Sequence, residues 1–181
     1  MRRWCDCGPH RPTETASIEF RYDSEYRQKA REGEPNEWIA VSIAVDETYI
    51  YGDPDGGVTG SACEIVHQFL ESIEATVADE RYVVEFEFGP TWLVVEPSNG
   101  DAVNVFSCSV LQGRHDPSER LDIDASRPIT KQGWIDSVIE AAEHFHATLV
   151  DIELDLYDHS VMVQIREAIT HAKDLTETED E

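Results

Sequence analysis

Cys5, Cys7 and His10 place two thiols and an imidazole within six residues near the start of the chain. Thiolates and imidazoles are zinc ligands, and a structural zinc site takes four of them. The fourth would have to come from Cys63, Cys108 or another His. The spacing is not the common C-x-x-C knuckle, and no second pair follows. The expectation is two incidental thiols and no cofactor. The alternative is a metal-binding protein, or a metal-dependent enzyme, that uses this Cys-x-Cys-x-x-His cluster to hold zinc.

A second set runs along one helix face. Cys63, His67 and Glu71 step by four. A thiol in a first helical turn is favoured as thiolate, and a base and a carboxylate beside it complete the parts list for a nucleophile. Residues on one helix do not wrap a substrate, so the plainer reading is a boundary Cys with an i,i+4 His–Glu pair. Glu140, Glu143, His144 and His146 contain one Glu-x-x-His step. A di-iron helix pair needs that step twice, and His144 and His146 diverge around the helix. Asp53, Asp55 and Glu64 imitate three positions of a calcium loop, but Val58 stands where such a loop needs Gly.

The segment 113–127 holds Arg114, Arg120 and Arg127 among acids. Guanidinium forks suit carboxylates or phosphates. Pairing with neighbouring acids is the plain expectation, and partner binding is the functional one. Tyr49, Tyr51, Trp92 and Trp134 are candidate contact aromatics if two of them face solvent together. No G-x-S-x-G, H-E-x-x-H or dinucleotide fingerprint occurs.

The elements that must position these groups follow from periodicity. Residues 1–37 read as an irregular N-terminal arm, with a short strand at 18–22 and a polar helix at 24–32. Ile39, Val41, Ile43 and Val45 alternate as a half-buried strand, with a second strand at 48–51. Residues 61–78 form the clearest helix, opened by a Ser61/Glu64 capping box. Residues 81–109 read as a three-stranded antiparallel meander, 111–130 as a long loop. Helices follow at 131–149 and 160–173, with 150–157 compatible with helix or strand. Residues 174–181 read as a disordered acidic tail. The predicted fold is a single α+β domain over 38–173, mainly an antiparallel sheet of about five strands with two to three helices on one face.

The chain has 181 residues, 14 Lys or Arg against 38 Asp or Glu, and a formal charge of −24. Eleven of the bases are Arg and three are Lys. Residues 1–37 hold seven bases and eight acids, so the rest carries nearly all of the negative charge. An acidic body repels phosphate backbones and anionic lipid, which argues against nucleic-acid and membrane partners. Dispersed acid with little Lys fits a high-salt cytoplasm, where screening removes self-repulsion. A polyanion mimic would need its charge on one face. No run of 18 apolar residues occurs, and no apolar stretch follows the N-terminal bases, so neither a membrane span nor a secretory signal is expected. The composition and motifs together point to a cytoplasmic, halophilic-type protein that binds a protein partner or regulates it without catalysis.

Overall fold

A computed structural model describes residues 12–53, 57–86, 91–121 and 125–177. The first strand, β1 (Ala16–Arg21), turns Ala16, Ile18 and Phe20 inward by simple alternation. A short helix, α1 (Ser24–Arg31), follows, with Asp23 accepting the Tyr26 N–H at 2.8 Å as its N-cap. Then come β2 (Trp38–Val45), β3 (Thr48–Tyr51) and β4 (Val58–Ser61). Antiparallel pairing sets β1 along one edge of β2, Ala16 opposite Val45 and Arg21 opposite Ala40. β3 and β4 share the other edge, β3 beside Ile43–Val45 and β4 beside Trp38–Val41.

Helix α2 (Ala62–Val77) leads to β5 (Tyr82–Glu85), β6 (Trp92–Pro97), β7 (Ala102–Cys108) and β8 (Ser126–Thr130). These four form a second antiparallel sheet in sequence order. Helices α3 (Lys131–Ile152) and α4 (Ser160–Glu177) complete the chain, joined by a 3-10 turn at Leu154–Asp158. No helix among the described residues is long and apolar enough to cross a membrane.

The core lies between the inner faces of the sheets and the helices. Phe20 packs on Phe69 of α2 and Phe145 of α3, with ring centroids 6.4 and 5.3 Å apart. Phe69 in turn meets Trp134 edge-on. Such aromatic contacts add to the burial of apolar area that drives assembly.

Sheet edges are closed locally. The Gln68 amide on α2 donates to the Glu85 carbonyl at 3.0 Å and accepts the Glu85 N–H at 2.7 Å. It thereby stands in for a neighbouring strand at β5. Thr13 does the same for β8 with its backbone, through Thr13 N–H to Pro128 O and Thr130 N–H to Thr13 O. The Ala16 N–H at β1 is taken by Ser137 Oγ of α3 at 2.9 Å. Closed edges prevent strand addition by other chains.

The α+β class is observed, with the detail changed. Among the described residues, two sheets of four strands and four helices replace one five-stranded sheet with two to three helices. Residues 16–31 belong to the first sheet and the core: Tyr26 and Ala30 are fully buried, and β1 pairs along most of β2. The boundary at 37 therefore does not separate an arm from a body. The expected loop 111–130 contains β8, whose Pro128 and Arg127 disguised it. Proline is tolerated there because the strand lies at a sheet edge. The expected tail is helical through Glu177, and residues 178–181 lie outside the described part. α3 continues to Ile152, and buried Leu156 on the 3-10 turn explains the ambiguous pattern of 150–157. At the start of α2, Asn36 Oδ1 accepts the Cys63 N–H at 2.9 Å, while Ser61 makes no side-chain cap.

Candidate functional site

The outer faces of the two sheets differ in what covers them. On the second sheet, pairing puts Val83, Val94 and Phe106 in one outward row and Glu85, Trp92 and Cys108 in the next. Val94, Phe106 and Cys108 are nevertheless buried. The chain after β7 folds back over them. Arg120 makes a two-pronged pair with Glu96, Nη1 to Oε1 at 3.0 Å and Nη2 to Oε2 at 2.9 Å. Its guanidinium lies 3.8 Å over the Phe106 ring. Arg114 pairs with Glu85 at 2.7 Å and lies 5.4 Å over Trp92. Arg81 joins by holding Glu96 and the His115 carbonyl. Gly113 is required for the close approach, since a Cβ there would sit 2.9 Å from Cys108 Sγ.

Arg114 and Arg120 therefore share one face and hold the loop to the sheet. Arg127 is elsewhere, on β8, donating to Ser126 O and to Thr48 Oγ1. The structure does not bring the three together.

Among the described residues the first sheet is covered in part: Gly52 lies against the outward Ser42, which is 2 % exposed. Its outward row carries Ser17, Glu19 and Arg21 on β1, Trp38, Ala40, Ser42 and Ala44 on β2, and Tyr49 on β3. Trp38 is 40 % exposed, and Ala40, Ala44 and Tyr49 are partly exposed. Arg21 reaches across the middle to the Asp53 carbonyl at 3.1 Å. It leaves a shallow cleft on each side. One, of about 480 Å³, is lined by Ser17, Ala44, Asp46, Glu47 and Tyr49. The other, of about 340 Å³, is lined by Asp23, Glu25, Tyr26, Glu37, Trp38 and Ala40.

Two local features shape this face. Asp46 and Glu47 take φ of 49° and 59°, the left-handed pair that a two-residue hairpin demands and that Asn-Gly serves best. A bulge between Ile43 and Ala44 then pairs Tyr49 with Ala44 and Tyr51 with Ile43. Without it the two tyrosines would share a face. With it Tyr51 turns inward and stacks on Phe86 at 4.2 Å, while Tyr49 stays out.

Of the four candidate aromatics, Tyr51 and Trp134 are thus buried, the latter with Nε1 donating to Ser72 Oγ at 3.1 Å. Trp92 is half-buried in the sealed face, and only Tyr49 lies on the open one. Trp38 was missed. Its parity with Ala40, Ser42 and Ala44, opposite to Ile39 and Val41, was the available signal.

The remaining sets do not assemble. Cys5, Cys7 and His10 lie outside the described residues, as does Asp55. Cys63 is buried with its Sγ 3.5 Å from Pro35 O, and burial pushes its thiol up to about 12, against the lowering expected of a helix N-terminus. Burial thus disfavours the thiolate form that a nucleophile needs. Glu71 instead accepts from the Tyr82 hydroxyl. Cys108 donates to Val110 O at 3.1 Å, on the far side of the second sheet. Among the described residues no three His, Cys, Asp or Glu side chains could hold a metal ion.

Glu140 and His144 line one side of α3, near Ser17, while Glu143 and His146 line the other. The second side forms a cavity of about 400 Å³ with α4, but its ions answer one another: Lys173 pairs with Glu143 at 2.5 Å. Arg166 donates to Tyr157 O at 3.2 Å. Burial, then the nearby Arg166 charge, holds the His146 imidazole below its ordinary range.

No family model, curated protein or solved structure matches the chain.

Proposed function

We propose that the protein is a non-catalytic binding module that engages a protein partner through the outer face of its first sheet, in a reducing, high-salt cytoplasm. The observation that carries this reading is the contrast between the two outer faces. A sheet face with Trp38 and Tyr49 outward and small residues between them is shaped for contact, since aromatic anchors dominate interface energetics. Small side chains at Ser17, Ala40 and Ala44 let another backbone approach closely. Two buried, reduced thiols at Cys63 and Cys108 accord with a reducing compartment. The strong acidity accords with high salt.

The test is co-purification of the full chain from its own cells at high salt, comparing Trp38→Ala and Ala44→Arg with Arg114→Ala. The reading expects a stoichiometric partner that is lost with the first two variants and kept with the third. A partner indifferent to Trp38 and Ala44 contradicts it.

A further inference from the structure

The cavity of about 400 Å³ between α3 and α4 is lined by four charged side chains, Glu143, Arg166, Lys173 and Asp174, and by His146 and buried Ile169. Lys173 and Glu143 neutralise each other. Arg166 is placed differently. Its Nη1 donates to the Tyr157 carbonyl at 3.2 Å, and its guanidinium lies 4.4 Å over the Tyr157 ring. Carbonyl and ring hold the group in place but bring no counter-charge. Arg81, Arg114, Arg120, Lys131 and Lys173 each hold a carboxylate. Among the described residues no carboxylate is within ion-pair distance of Arg166. His146 stands edge-on to the same Tyr157 ring, with centroids 6.3 Å apart. Its Nε2 is buried with no hydrogen-bond partner among the described residues. A buried polar atom of this kind favours a ligand group that supplies the missing bond.

We propose that this cavity binds a small organic monocarboxylate, with its carboxylate on the Arg166 guanidinium beside His146 and its apolar body against Ile169. The site lies on the helices and does not depend on the reading of the first sheet. The charge of the ligand follows from the wall. Arg166 matches one negative charge, and a second, as on phosphate, meets Glu143 and Asp174. A guanidinium fork fits two carboxylate oxygens, and stacking on Tyr157 orders it before the ligand arrives. An imidazole with its proton on Nε2 donates to the same group. The size of the ligand follows from the helix. Lys173 stands seven residues beyond Arg166, about 10 Å along α4, and its pair with Glu143 occupies that end. A body the length of benzoate or butyrate fits the span between. Binding also has a direction of charge coupling. Burial and then the Arg166 charge hold the His146 imidazole below its ordinary range, and an anion on Arg166 offsets the second cause. The His146 pKa therefore rises on binding, while Glu143, Lys173 and Asp174 keep their charges.

The test titrates the full chain with benzoate, butyrate, benzamide and inorganic phosphate at one fixed salt concentration, followed by NMR of the His146 ring and the Ile169 amide. Benzoate or butyrate is expected to shift both signals to saturation. Benzamide, the neutral counterpart of benzoate, and phosphate are each expected to bind about tenfold more weakly or worse. Arg166→Gln is expected to weaken carboxylate binding by about tenfold, and Arg166→Lys, which keeps the charge without the fork, by about threefold. Arg127→Gln removes a base on β8, outside the cavity, and is expected to leave the affinity within about twofold. In the ligand-bound chain the His146 ring titrates at higher pH than in the free chain. Amide spectra away from the cavity report whether each variant is folded, and Arg166→Lys decides if Arg166→Gln is not. Benzamide binding as tightly as benzoate overturns the proposal, because the cavity then takes apolar bodies without regard to charge. Tighter binding of phosphate overturns the choice of a monocarboxylate. Shifts that never saturate, that lie on other elements, or that are indifferent to Arg166 overturn the site itself.

Discussion

The two sheets are built from strands of similar length, yet their outer faces have opposite fates. On the second, both faces of β6 and β7 are apolar: Leu93 and Val95 point inward, Trp92 and Val94 outward. A strand apolar on both sides needs cover on both sides. The cover comes from a loop with few apolar residues, held by the charged and stacking reach of Arg114 and Arg120. On the first, β2 alternates large with small: Ser42 is buried against Gly52, while Trp38, Ala40 and Ala44 keep some exposure among the described residues. Among the described residues the same architecture thus gives one outer face sealed by a loop and one that is covered only at its centre. Side-chain size at alternate positions decides which.

That contrast predicts unequal costs of truncation. Phe106→Ala, beneath the loop, is expected to lower stability by about 3–4 kcal/mol, and Tyr49→Ala on the open face by about 1 kcal/mol or less. Urea unfolding in molar salt measures both, and similar losses would erase the distinction. Next in size is Arg120→Ala, which leaves Glu96 short of a partner and uncovers Phe106. We expect a loss of about 2 kcal/mol. The same variant is expected to speed modification of Cys108 by a thiol reagent. Cys63 should stay protected, because it lies on the other side of the molecule with its thiol raised to about 12. Equal labelling of both thiols would mean that the loop is not the seal.

Gly113→Ala is expected to cost about 1–2 kcal/mol, since the new methyl meets Cys108 Sγ and the Glu119 carbonyl. The smallest effect has the opposite sign. Glu47→Gly relieves a left-handed residue in the β2–β3 turn and is expected to stabilise by about 0.5–1 kcal/mol, seen as a higher Tm.

The sequence made some of this legible and hid the rest for physical reasons. β2 and α2 were readable because each buries one regular stripe, and the β5–β7 meander because its β-branched and aromatic runs are parted by turn residues such as Asn99-Gly100. β4 escaped because Thr59, Gly60 and Ser61 are turn-like residues kept straight by pairing with Trp38–Ala40. β8 escaped because Pro128 marks loops, and only its edge position makes it a strand. The charge balance of residues 1–37 suggests a separate arm, yet charge on the surface says nothing of Tyr26 and Ala30 beneath. At the site, Arg114 and Arg120 were visible as an excess of cations, but not that a sheet face lay under them. The bulge that parts Tyr49 from Tyr51 leaves no mark in the composition of β3.

The most direct measurement is photo-cross-linking in the protein's own cells, with a benzophenone side chain placed at Tyr49 in one variant and at Trp92 in another. One adduct of defined mass is expected from position 49, abolished by adding Trp38→Ala, and none from position 92. Adducts from position 92, or adducts from position 49 that persist without Trp38, would contradict it.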